Sequence, residues 1–134
     1  IYDRVCRIAM DYQSADDEQA IVQREVPNAD APFATRVVEL VRATRSHVDV
    51  RVGSSVRGAV DLLLLAIQLA ELRDLAPDHD DVALDAALTA LSGRIRLHDS
   101  AGRTPESVIT ELYRSISIDP GETIRRAELA RQRI

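Results

Sequence analysis

Apolar residues recur along most of this chain at three- and four-residue steps, the spacing of one helix face. Ala34, Val37, Val38, Val41 and Thr44 form such a stripe and predict a helix over about 34–46. Val82, Leu84, Leu88 and Leu91 predict another over about 80–92, with the acidic Asp78, Asp80 and Asp81 at its start and Gly93 as its C-cap. Val108, Ile109, Leu112 and Ile116 predict a third, opened by Thr104 and Pro105 and running to about Ser117. Ser14, followed by Asp17 and Glu18, reads like a capping box. The helix it opens runs to about Glu25, with Ile21 and Val22 inward, and Pro27 and Pro32 bracket the loop that follows.

One stretch differs from these amphipathic segments. From Ala59 to Ala70 nearly every residue is apolar. At about 100° per residue, Arg57, Asp61, Leu64, Gln68 and Glu71 fall within about 80° of one another and form the one open face. A helix apolar nearly all round belongs in the middle of its domain. Residues 55–75 are therefore expected to form a central helix that ends at Pro77, with the other helices packed around it.

The remaining segments are less regular. Residues 4–12 read as a short strand or extended lead-in. Val48, Val50 and Val52 alternate, which suggests a short extended link with valines seated on the core. Arg94 to Arg103 reads as a loop or short extended piece. Asp119-Pro120 is another helix start, and Glu122 to Ile134 has helical propensity but a thin apolar stripe and four arginines. The expected fold class is all-α: a small helical bundle around one buried helix, with a short extended N-terminal segment.

Length and charge narrow the function. The 134 residues suit a single core. The net charge of −5 disfavours nucleic acid as a partner and a helix-turn-helix reading with it. The apolar run at 59–70 is too short to span a bilayer, so no membrane partner is expected. A single cysteine, Cys6, excludes an internal disulfide and favours a reducing, cytoplasmic setting. All 17 basic residues are arginine, which reads as compositional bias. The chain opens at Ile1, inside what reads as a strand, and is expected to be part of something longer.

A search for chemistry returns one candidate. His47, His79 and His98 share no ligand spacing with one another or with Cys6, so no metal site is expected. No phosphate-cradling glycine loop and no nucleophile elbow occur. The candidate is Val52-Gly53-Ser54-Ser55-Val56-Arg57-Gly58, at the start of the central helix. Ser55 is placed to cap the first turn with its hydroxyl. Arg57 then lies at the positive end of the helix dipole, where a cation is disfavoured but an anion is welcome. A guanidinium there could grip two phosphate oxygens. A capped core helix carrying a surface arginine is the plainer alternative.

These residues also resemble a family. Val38-Glu39-Leu40-Val41-Arg42-Ala43-Thr44-Arg45, then Val52 to Ala59, then Leu62 to Ala70 are similar to the C-terminal lid of MoxR-type AAA+ ATPases, of the magnesium chelatase-related clade. That family carries an Ala-Thr-Arg stretch, a short link and a G-[AT]-S-P-R-[AG] motif opening a long apolar helix. Asp80-Asp81-Val82, Gly93-Arg94-Ile95, Asp3-Arg4-Val5 and Asp11-Tyr12-Gln13-Ser14 match further family elements more loosely. Val56 stands where the family has proline, Ser54 where it has a small apolar residue, and Val5 where it has phenylalanine. The family's histidine before Arg94 is absent, and the spacing from Arg4 to Tyr12 is one residue short.

The resemblance implies a division into residues 1–13 as the exit from an ATPase core, 14–118 as the lid and 119–134 as a helical tail. It implies that Arg57 is the sensor-2 arginine, with Gly53 and Ser55 beside the nucleotide and Arg4 as the arginine finger. ATP and Mg2+ would be bound by the parent protein and not tightly by this piece alone, which would not hydrolyse ATP. Neighbouring AAA+ subunits in a ring and a von Willebrand factor A domain protein are the implied partners. The rival expectation is a helical protein-interaction module with no nucleotide role.

Overall fold

The computed structural model describes residues 2–116. Five helices make up most of it: α1 (Ala15–Glu25), α2 (Ala31–Thr44), α3 (Val56–Arg73), α4 (Asp80–Leu91) and α5 (Pro105–Ser115). Two short strands, β1 (Val50–Val52) and β2 (Arg96–Leu97), pair antiparallel, with Val50 opposite Leu97. The protein is a small all-α bundle with this ribbon at one side. The expected tail at 119–134 and its helix lie outside the described residues.

Local signals set most helix starts. Ser14 Oγ accepts from Asp17 N at 3.1 Å, and Thr104 Oγ1 accepts from Ser107 N at 3.2 Å. α2 begins three residues earlier than its stripe suggests. Asp30 Oδ2 accepts from Phe33 N at 3.3 Å, and Pro32 sits inside the first turn, where its missing N–H costs nothing. Phe33 and Leu40 join Ala34, Val37, Val38, Val41 and Thr44 in the interior.

Helix ends depart from expectation. α3 stops at Arg73, before Pro77, because Asp74 turns left-handed at φ 54° and its N–H closes back on the last carbonyls. Gly93 is not a left-handed cap, since α4 ends on Ser92 in helical geometry.

α3 packs on α4, α2 and α1, and is the most connected helix of the bundle. Leu62, Leu63 and Ala66 are 1% exposed or less. Its open face is the expected one: Arg57, Leu64, Gln68 and Glu71 are exposed and Asp61 is half-buried. α5 closes the bundle against α4 and α2. There the Tyr113 hydroxyl donates to Asp80 Oδ1 at 3.0 Å, and burial with that carboxylate holds its pKa far above the usual phenol range.

Of the two readings of the lead-in, the strand does not form: residues 5–14 are irregular and exposed, after a single 3-10 turn at Tyr2–Arg4. The valine link needs correction. Of the alternating valines only Val50 is buried, whereas Val48 is 83% and Val52 48% exposed. Val48 lies in the turn before β1, and the β1–β2 register shifts between Val50 and Val52, so the three valines do not share one face.

Candidate functional site: the loop before the central helix

The loop 53–55 is held from below by the C-terminal turn of α2. Ser54 N donates to Thr44 Oγ1 at 3.0 Å, and Thr44 Oγ1 in turn donates to Val41 O at 2.6 Å. Arg45 Nε donates to Ser54 O at 2.7 Å. Ser54 is therefore held by both its backbone N–H and its carbonyl, by the consecutive residues Thr44 and Arg45 at the end of α2.

Arg45 is itself fixed by a buried acid. Its Nη1 and Nη2 donate to Glu18 Oε1 and Oε2 at 2.6 and 2.7 Å, a two-pronged pair. Arg42 donates to the same Glu18 Oε1 and to Gln13 O, and Tyr12 lays its ring 3.9 Å from the Arg45 guanidinium carbon. The Arg45 hydrogen bond, followed by the charges of both arginines, holds the Glu18 carboxyl below the usual carboxylate range despite its burial. Two guanidiniums against one carboxylate leave one positive charge in surplus.

Glu18, Thr44 and Ser54 are the three polar residues buried among those described, and all three belong to this one network. Buried polar groups are stable only when their hydrogen bonds are satisfied, and a satisfied network fixes a single arrangement. Here the thing fixed is the path of the chain into α3.

Close packing adds a second constraint. A Cβ on Gly53 would lie 2.7 Å from both Cα and Cγ of Arg45. A Cβ on Gly58 would lie 2.1 Å from Ser54 Oγ and 2.9 Å from a methyl of Leu91. Both glycines are set by contact, because backbone or buried atoms occupy the space a side chain would need.

The expected site residues separate accordingly. Arg57 stands exposed in the first turn of α3 and forms no ion pair with a described residue. Ser55 occupies the N-cap position, but its hydroxyl does not cap; the first turn is closed by Gly58 N donating to Ser55 O at 3.0 Å. Its exposed Oγ makes no hydrogen bond to a described residue, and the first-turn N–H groups of Val56 and Arg57 lack an intrahelical acceptor. Gly53 lies against Arg45 and serves the loop's path. Arg4 is exposed on the short turn Tyr2–Arg4, and no hydrogen bond or ion pair joins it to the loop.

Sequence reasoning missed Glu18, Thr44 and Arg45 as the frame of this loop. Glu18 read as part of a cap and Thr44 as part of an apolar stripe. The one available signal was an unpaired acid at an inward position of α1, one turn before Val22.

Among the described residues, no group of three or more His, Cys, Asp or Glu side chains could hold a metal ion, and no helix is long and apolar enough to cross a membrane.

The fold and site define a small helical bundle that presents one arginine at the rigidly held N-terminus of its central helix. The chain is 33% identical over 111 residues to a protein of Bacillus subtilis (strain 168) described as "Uncharacterized protein YeaC". The match takes in 78% of this chain and 34% of that protein, so the chain spans about a third of the relative's length. No family model matches the chain. No solved structure matches it.

Proposed function

We propose that this chain is the lid of a MoxR-type AAA+ ATPase and that Arg57 is its sensor-2 arginine. The observation that carries the reading is the frame beneath that arginine. The three buried polar residues of the described chain, with Arg45, are spent on fixing the loop that aims Arg57 outward. Fixed donors that need no reorganisation are what stabilise charge developing on a transferring phosphoryl group. The same residues, Ala43-Thr44-Arg45 and Gly53 to Gly58, carry the resemblance to the family.

In this reading ATP and Mg2+ sit mainly on a nucleotide-binding core, and the lid adds Arg57, with Ser55 beside it. The assembled protein is a ring of AAA+ subunits in the cytoplasm, and Arg57 serves its own or a neighbour's nucleotide. Its clients are partner proteins such as von Willebrand factor A domain proteins. Arg4 is the proposed arginine finger, a role that needs a neighbouring subunit's nucleotide to reach it. Residues 1–13 belong to the exit from the core, where the exposed Ile8, Met10 and Tyr12 would find cover.

The test is a steady-state ATPase assay of the full-length protein encoded by the gene, with and without Arg57. Magnesium-dependent turnover that falls when Arg57 is removed supports the reading. A full-length protein with neither a G-x-x-x-x-G-K-[ST] segment nor ATP turnover overturns it, in favour of a helical interaction module.

A further inference from the structure

We infer that Arg94 is a positioning residue for Arg57: by occupying Asp61, it keeps that carboxylate from capturing Arg57 and repelling the anion. The inference rests on the proposed role of Arg57 as an anion-binding residue.

Asp61 lies one helical turn past Arg57 on the same open face of α3. Residues four apart on a helix are within reach of each other, so the two side chains can pair, although base before acid is the weaker order. Asp61 is also the one acid in the first three turns of α3. Left to itself it would act against an anion site in two ways. It would draw the Arg57 guanidinium along the helix, away from the first-turn N–H groups. It would also place a negative charge close to the phosphate oxygens, well inside a Debye length.

In the structure Asp61 is engaged elsewhere. Arg94 Nη2 donates to Asp61 Oδ2 across the gap between α4 and α3. Arg94 is well placed for this. Its backbone N–H closes on Leu91 O at 2.9 Å, and its Nε donates to Ala90 O at 3.1 Å. The guanidinium is thus braced on α4's own last carbonyls, with its remaining fork aimed at α3. Both side chains are about a third exposed, so the pair contributes little to stability. Its effect on the neighbouring cation does not depend on that contribution.

The test uses inorganic tripolyphosphate, titrated at low salt into the 134-residue chain while NMR follows the amides of Ser55 to Gly58. Arg94→Ala should weaken binding by about two- to fivefold, the range of one exposed pair plus one screened charge. Asp61→Asn alone should bind at least as tightly as the unmodified chain. The double variant Asp61→Asn/Arg94→Ala should return to the unmodified affinity, which no loss of a structural pair would do. An Arg94→Ala chain that binds normally, or a double variant that fails to recover, overturns the inference while Arg57→Ala still abolishes binding. Amides that do not move in the unmodified chain, or binding that survives Arg57→Ala, overturn the Arg57 reading and this inference together.

Discussion

Arg45 and Glu18, 27 residues apart, face each other as two parallel hydrogen bonds of 2.6 and 2.7 Å, and the third edge of the same guanidinium holds Ser54 O. One side chain therefore links α1, the end of α2 and the loop into α3. Removing Glu18 leaves the nearly buried Arg45 without a counter-charge, whereas removing Arg45 leaves Glu18 with Arg42 alone. Glu18→Ala should destabilise the bundle by about 3–5 kcal/mol, and Arg45→Ala by less, because Arg42 still faces Glu18. Arg45→Lys should recover little, because an ammonium cannot span both carboxylate oxygens and Ser54 O together. Urea melts of the three variants check this, and a loss below about 1 kcal/mol in each would remove Arg45 from the frame.

The same pair sets an acid limit. Glu18 has its folded pKa lowered by Arg45 and Arg42. Its contribution is therefore full above the unfolded carboxylate pKa and disappears as pH falls through the folded value. Stability should drop on acidification through and below the ordinary glutamate range. Glu18→Gln should flatten that limb while lowering the plateau near neutrality. The measurement is denaturant unfolding across pH for both chains, and parallel acid limbs would count against the assignment.

Three glycines should behave differently on substitution by alanine. Gly58→Ala places a Cβ into Ser54 Oγ and Leu91, and Gly53→Ala drives one into the Arg45 backbone. Each should cost about 1–3 kcal/mol. Gly93 has open space around its Cβ position and no left-handed φ, so Gly93→Ala should be neutral or stabilise by up to about 1 kcal/mol. A thermal melt of each orders them, and Gly93→Ala as the worst of the three would contradict the packing.

The central helix carries a graded expectation. Leu63 is 0% exposed, so Leu63→Ala should cost about 2–5 kcal/mol. Leu69 is only partly buried and should cost less. Gln68, on the open face, should cost almost nothing on truncation to alanine. Equal melts for Leu63→Ala and Gln68→Ala would mean that α3 is not the core of the bundle.

Arg57 should matter to chemistry and hardly to the fold. It is exposed, at the positive end of a helix, and paired with no described residue. Arg57→Ala should leave the melting temperature of the 134-residue chain within about a degree, and on the proposed lid reading should lower ATP turnover of the parent protein by about 10-fold or more. Normal turnover with an early melt would make Arg57 a structural residue.

What the sequence determined by itself was the helical class, the order of the five described helices and the central place of α3. These follow from signals within a few residues of one another. Ser14 and Thr104 cap the N–H three residues on, and the run from Ala59 to Ala70 admits no wet face except the one that starts at Arg57. The exposure of Arg57 was legible for the same reason, as a helix phase. Only the tertiary structure decided which polar residues went inside. Glu18 reads as a capping residue and becomes a buried counter-ion, because its partners lie 24 and 27 residues away. Ser55 reads as a cap and leaves its hydroxyl outside, while Ser54 beside it is buried by Thr44 and Arg45. Asp61 stands one turn from Arg57 in sequence, yet binds an arginine 33 residues on. Each of these outcomes depends on which charges meet when helices pack, and no spacing along the chain records that.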